Sequence, residues 1–141
     1  MSDETIVDVV EDNEMLARYI LRRNHVRRSD HTVKPDAFIP PKSSLALSVT
    51  RHKDLSEKEI WQLGQTIAQN RPNATLCGRA DIMTSKVRAL SLEIHPSSPP
   101  KNHADITGWP ADKADQKSIA LDIAAASRYI ENPNKTTPSP D

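Results

Sequence analysis

Between residues 74 and 112 the chain reads ATLCGRADIMTSKVRALSLEIHPSSPPKNHADITGWPAD, and its alternation of apolar and polar side chains commits the molecule to a sheet. Over 75–83, Leu76, Gly78, Ala80 and Ile82 fall on one side, and Cys77, Arg79 and Asp81 on the other. Leu90, Leu92 and Ile94 alternate in the same way with Ser91, Glu93 and His95. A repeat of two is what a strand with one buried face requires. Thr84, Ser85 and Lys86 lie between the runs and predict a polar turn, hence a β-hairpin. Its wet face would carry Arg79, Asp81, Glu93 and His95 as cross-strand charge partners. Beyond it, HPSSPP predicts a stiff, polyproline-like connection into a loop bearing His103 and Asp105, with Trp109 anchoring that loop on the core.

Helix signals flank the hairpin. Leu55-Ser56-Glu57-Lys58-Glu59-Ile60 is a capping box with a hydrophobic staple: Ser56 caps, Glu59 reaches back, and Leu55 packs on Ile60. Ile60, Leu63, Gly64, Ile67 and Ala68 then form one apolar stripe, with Gly64 allowing close approach to the sheet and Pro72 ending the helix. Near the C-terminus Asp112 can cap a second helix, with Asp115 in its first turn and Ile119, Ile123, Ala126 and Ile130 on one face up to Pro133. A third is expected after Asn13, through Met15, Leu16, Tyr19 and Ile20, with Glu14 and Arg18 spaced to pair. It runs into a basic block of Arg22, Arg23, His25, Arg27, Arg28, His31 and Lys34. Between the first two helices in the chain, TVKPDAFIPP is extended by its prolines, and Phe38, the only phenylalanine, is expected to plug the core. Leu45, Leu47 and Val49 alternate with Ala46, Ser48 and Thr50, predicting a further strand that ends at Arg51 and His52.

The expectation is therefore an α+β fold, a small, mainly antiparallel sheet of about three to four strands packed against two or three helices. Residues 1–14 form an acidic N-terminal segment, 15–132 a single domain and 133–141 a disordered tail without core-forming residues. Residues 5–10 read as strand, helix or docking arm; IVDVV followed by acids resembles short motifs that bind ubiquitin-like modifiers.

Composition narrows the chemistry. With hydrophobic residues at 36% and aromatic ones at 4%, the core must be built from Leu, Ile, Val and Ala and stays modest. Nineteen basic and nineteen acidic side chains cancel, so no global field draws in nucleic acid or an anionic membrane. One cysteine, Cys77, allows no internal disulfide and suits a reducing compartment. No apolar run has the length of a membrane span, and the acidic start is unlike a targeting peptide, so the expected location is cytoplasmic.

Three glycines build no phosphate-cradling loop, one cysteine gives no Cys/His zinc pattern, and no nucleophile elbow occurs. His95-Pro96-Ser97 matches half of a two-histidine phosphoesterase signature, but a second such tripeptide is missing. Two constellations remain. His103 and Asp105, with His95 at the strand end, have the composition of an oriented general base or the start of an oxygen/nitrogen metal site. The simpler reading is that they bond the loop backbone. Arg22, Arg23, Arg27 and Arg28 can hold phosphate or RNA backbone, although single-strand binding usually adds stacking aromatics and only Tyr19 is near. The leading expectation is a small non-enzymatic binding or accessory protein acting through a protein partner, with no cofactor and no metal. The alternatives are a small hydrolase or nuclease using His103, Asp105 and His95, with Arg79 or Arg51 steadying a phosphate, and an RNA- or phosphate-contacting module built on the basic block. Oligomeric state is left open.

Overall fold

A computed structural model describes residues 9–133. In chain order its elements are β1 (Met15–Ile20), β2 (Leu47–Arg51), α1 (Glu57–Gln69), β3 (Gly78–Met83), α2 (Thr84–Arg88), β4 (Glu93–Pro96), β5 (His103–Thr107), α3 (Lys113–Ala126) and β6 (Arg128–Glu131). Two 3₁₀ turns, Arg23–His25 and Pro35–Phe38, lie between β1 and β2. The six strands form one sheet in the order β4-β5-β2-β1-β3-β6, with every pairing antiparallel. The class is α+β as expected; six strands replace the expected three to four.

One face of the sheet carries the main core. Leu16 and Ile20 of β1, Leu47 and Val49 of β2, Ile82 of β3 and Ile106 of β5 meet Phe38, Ile123 and Trp109. Phe38 is 1% exposed and fills the position expected of it; burying a side chain of this size contributes roughly 1.5–3 kcal/mol. On the opposite face α1 lays Ile60, Trp61 and Ala68 around Tyr19 and Leu76. Ser56 accepts from the Glu59 amide while the Glu59 carboxylate accepts from the Ser56 amide, the reciprocal cap read from the sequence. A Cβ on Gly64 would stand 2.6 Å from the Tyr19 ring, so close approach is why glycine occupies that position. Asp112 caps α3 by accepting from the Asp115 amide.

The first predicted helix is instead the central strand β1. Its burial shows why the pattern misleads: Leu16, Ala17, Tyr19 and Ile20 are all buried, because α1 covers one face of the strand and the main core the other. A strand buried on both faces loses the alternation that would announce it. Asn13 caps nothing, and Glu14 pairs with Arg51, not with Arg18. The acidic N-terminal residues that are described do not fold on the basic block: Glu14 holds Arg51, and Asp12 and the Val10 carbonyl hold Arg88. The strand-or-docking-arm reading of residues 5–10 lies outside the described residues except at Val9 and Val10, of which Val10 is buried and Val9 exposed. Of the expected tail, 134–141 also lies outside them.

The predicted hairpin is replaced as well. β3 pairs with β1 and β6, while β4 pairs with β5. Thr84-Ser85-Lys86, expected as its turn, opens α2. The proline-rich stretch is not an extended spacer. It turns through 97–102, with the Ser98–Pro99 and Pro99–Pro100 bonds cis, and leads into β5. Finally, α3 stops at Ala126, so Ile130 leaves the expected helical stripe and faces Arg79 across β3–β6.

Candidate functional site

Arg79 and Asp81 were expected on a wet face. They are 3% and 8% exposed, because α1 closes over them. The Arg79 Nε donates to both Asp81 oxygens at 3.0 and 3.2 Å, its Nη atoms donate to Glu57 at 2.7 and 3.2 Å, and its guanidinium lies 4.7 Å from the centroid of Trp61. His52 Nε2 adds a 3.0 Å hydrogen bond to Asp81. Burial works against the Arg79 charge, but Glu57 and Asp81 outweigh it and raise its pKa above that of an ordinary arginine. Arg51 is likewise neutralised, bidentate to Glu14 with both contacts at 2.8 Å, and these bonds hold the Glu14 carboxyl below its usual range. Neither arginine is left to steady a ligand phosphate.

Arg18 is different, and the sheet itself makes the difference. β1 and β2 pair at Leu16↔Arg51 and Ala17↔Thr50 and no further, although β1 stays paired with β3 to Ile20 and β2 with β5 to Leu47. In the notch where this ladder stops, the Arg18 side chain replaces backbone pairing. Its Nη1 donates to the Ser48 carbonyl and its Nε to the Ala37 carbonyl, both at 2.9 Å. No carboxylate among the described residues lies within ion-pair distance of it. Burial, and then the charge of Arg71, pull its pKa down to about 10.

The notch opens into a cavity of about 240 Å³. Besides Arg18 its charged or titratable walls are Arg22, His25, Arg71 and His103, with no Asp or Glu among them; Tyr19 and Thr50 add hydroxyls, and Leu21, Val49 and Ile67 supply apolar surface. Arg22 and Arg71 are exposed at the rim. The His25 pKa is lowered, first by burial; Asp36 opposes this and the charges of Arg18, Arg22 and Lys34 reinforce it. Uncompensated cationic donors around a half-enclosed space suit a compact oxyanion, which accepts several charge-assisted hydrogen bonds at once.

The residues singled out by sequence divide between this cavity and elsewhere. His103 sits on β5 and lines it. Its Nδ1 is 2.6 Å from Ser97 Oγ, while its Nε2 stands 3.9 Å from Asp105, beyond a hydrogen bond. Asp105 shares the outward side of β5, as alternate strand residues do, but does not line the cavity. His95 stands directly opposite Asp105 in the β4–β5 register but does not line the cavity; it is exposed and bonded to Glu93 at 3.1 Å. Of the basic block, Arg22 enters the cavity; Arg23, Arg27 and Arg28 line a second concavity with Asn24, Val26 and Lys34. Arg18 and Arg71 were missed. The signal for Arg18 was an arginine inside MLARYI, a charge with apolar neighbours on both sides. Arg71 had none, because it reaches the site only through the packing of α1. Among the described residues no cluster of His, Cys, Asp and Glu could hold a metal ion, and no helix is long and apolar enough to cross a membrane. No protein-family model, no curated protein and no solved structure matches the chain.

Proposed function

We propose that this protein is a non-enzymatic binding module whose ligand presents a phosphate-like oxyanion to the cavity beside β1. The observation that carries this reading is Arg18, a half-buried guanidinium with two backbone carbonyls and, among the described residues, no carboxylate against it, in a cavity whose other charges are also positive. An arginine buried for architecture alone is normally paired, as Arg79 is, because an unpaired buried charge is costly. A bound anion would supply the missing counter-charge. Among the described residues Val9 and Leu121 are the only exposed large hydrophobics, so an apolar protein interface has less support than an anion site. The test is calorimetric titration with phosphate and with sulfate. Arg18→Gln should weaken binding at least about tenfold, the loss of one charge-assisted hydrogen bond at ~1.5–3 kcal/mol, with the fold retained. Equal affinity in the two proteins would reject the reading.

One contact favours a second reading, hydrolysis. Ser97 Oγ lies against His103, as a nucleophile lies against its base. The spacing of Asp105 and the position of Ser97 outside the cavity lining weigh against it. Hydrolysis of a phosphomonoester that is lost in Ser97→Ala would favour this second reading.

A further inference from the structure

The 3₁₀ turn Arg23–His25 has a cationic concavity on each side. Three residues per turn place Arg22 and His25 above one another, and both face the cavity of Arg18. The next positions in that repeat, Arg23 and Val26, face the second concavity with Arg28 and Lys34. The only acid between residues 23 and 34 is Asp30, and its carboxylate is occupied by the amide and hydroxyl of Thr32. Positive charge therefore continues along this loop across the turn, with Asp36 from the next 3₁₀ turn the acid that acts on His25. The side chains of Arg23 and Arg28 are exposed and make no hydrogen bond or ion pair among the described residues, whereas that of Arg27 is spent on its own loop, donating to Thr32 and to the Val33 carbonyl.

Neither concavity offers an open phenyl, phenol or indole face for stacking; besides Tyr19, the rings lining the first are the imidazoles of His25 and His103. The second has no aromatic residue, and the Tyr19 of the first is 8% exposed, its ring against Gly64 and its hydroxyl bonded to the Ile60 carbonyl. Ligands with bases would find charge but at most two imidazoles to stack on, whereas single-strand binding sites combine charge with larger aromatic platforms. Building on the anion-site reading above, we infer that the ligand is a linear phosphate chain, with its terminal phosphate at Arg18 and the following phosphates crossing the Arg23–His25 turn to Arg23, Arg28 and Lys34.

The experiment compares inorganic phosphate, tripolyphosphate, long-chain polyphosphate and an oligothymidylate of matched phosphate number, by calorimetry at one ionic strength. The expected result is affinity that rises at least about tenfold from phosphate to the longer chains, with the oligothymidylate well below polyphosphate. The Arg23→Gln/Arg28→Gln double variant should lose that gain while keeping the affinity for phosphate. Its melting midpoint checks that it folds, and the single Arg28→Gln variant repeats the test. Phosphate binding without any gain on lengthening, or a gain that survives the double variant, would overturn the chain assignment and leave the anion site standing. An oligothymidylate equal to polyphosphate would overturn it in favour of nucleic acid. No binding of any anion would remove the anion site as well.

Discussion

Two arginines on neighbouring strands, Arg18 of β1 and Arg79 of β3, are solved by the fold in opposite ways. Arg79 is enclosed by Glu57, Asp81 and Trp61 and its charge is reinforced. Arg18 is held by two carbonyls, crowded by Arg71, and its charge is disfavoured. The strands that carry them are hydrogen-bonded neighbours, with Arg18 opposite Ala80 and Arg79 opposite Tyr19. The two also differ in depth, Arg79 being buried and Arg18 half-buried. What further separates them is the ion pair: carboxylates complete it at Arg79, and none among the described residues does so at Arg18.

The largest expected effect attacks the closed site. Arg79→Met leaves the buried Asp81 without its main partner and should cost about 3–5 kcal/mol in chemical denaturation, the usual result of breaking a buried pair from one side. Arg18→Met, by contrast, removes a charge the fold does not pair and should cost much less. Equal losses would erase the distinction. The open site should respond to salt identity: at one hundred times its dissociation constant, sulfate should add about 2.7 kcal/mol of stability through mass action, and at the same concentration about 1.4 kcal/mol or less in Arg18→Gln. Next comes the helix that closes the Arg79 site. Ser56→Ala removes the cap of α1 and should cost about 0.5–2 kcal/mol, with an unchanged midpoint placing the start of that helix elsewhere.

The smallest effect is a pH dependence. The His25 pKa lies below that of a free imidazole, so in the absence of ligand its protonation opposes folding, and that contribution to stability declines as pH falls from about 6.5 toward the folded-state value. An anion beside it reverses the preference. Sulfate keeps its charge across this range, so its affinity should rise several-fold as pH falls below neutral, and His25→Gln should flatten that rise. The comparison sharpens further at Glu14, whose carboxyl is held low by Arg51. That pair stabilises fully above the free carboxylate pKa, and its contribution is lost as pH falls through the folded-state value, where Glu14→Gln should show a shallower acid transition.

Legibility followed the range over which each feature is specified. The cap of α1 needs only Leu55 to Ile60 and was readable in full, as was the Asp112 cap of α3. β1 was not, because burial on both faces gave Met15, Leu16, Tyr19 and Ile20 a spacing that also fits a helix. That error hid the site, since it assigned Arg18 to a helical pair with Glu14. Arg22 and His103 were picked out as candidates, but separately; only the notch between β1 and β2 brings them together with Arg71 from beyond α1. His95 and Asp105 were selected for their chemistry and stand opposite each other on β4 and β5, yet only His103, two residues from Asp105 on the same side of β5, lines the cavity.

The strand order has a consequence for how the molecule is made. Only the β4–β5 hairpin closes over a short loop; Met15 must find Met83, Leu47 must find Ile106, and Gly78 must find Glu131. Each such closure is an entropic search before it is rewarded, and sheets assembled this way fold in roughly milliseconds to seconds, not microseconds. During synthesis β1 leaves the ribosome long before β3 exists to pair with it, so MLARYI, apolar on both faces, waits as an unpaired strand. Arg18, the residue proposed as the anion seat, also interrupts that waiting strand with a charge, the kind of gatekeeper that keeps an exposed apolar segment from pairing with another copy of itself.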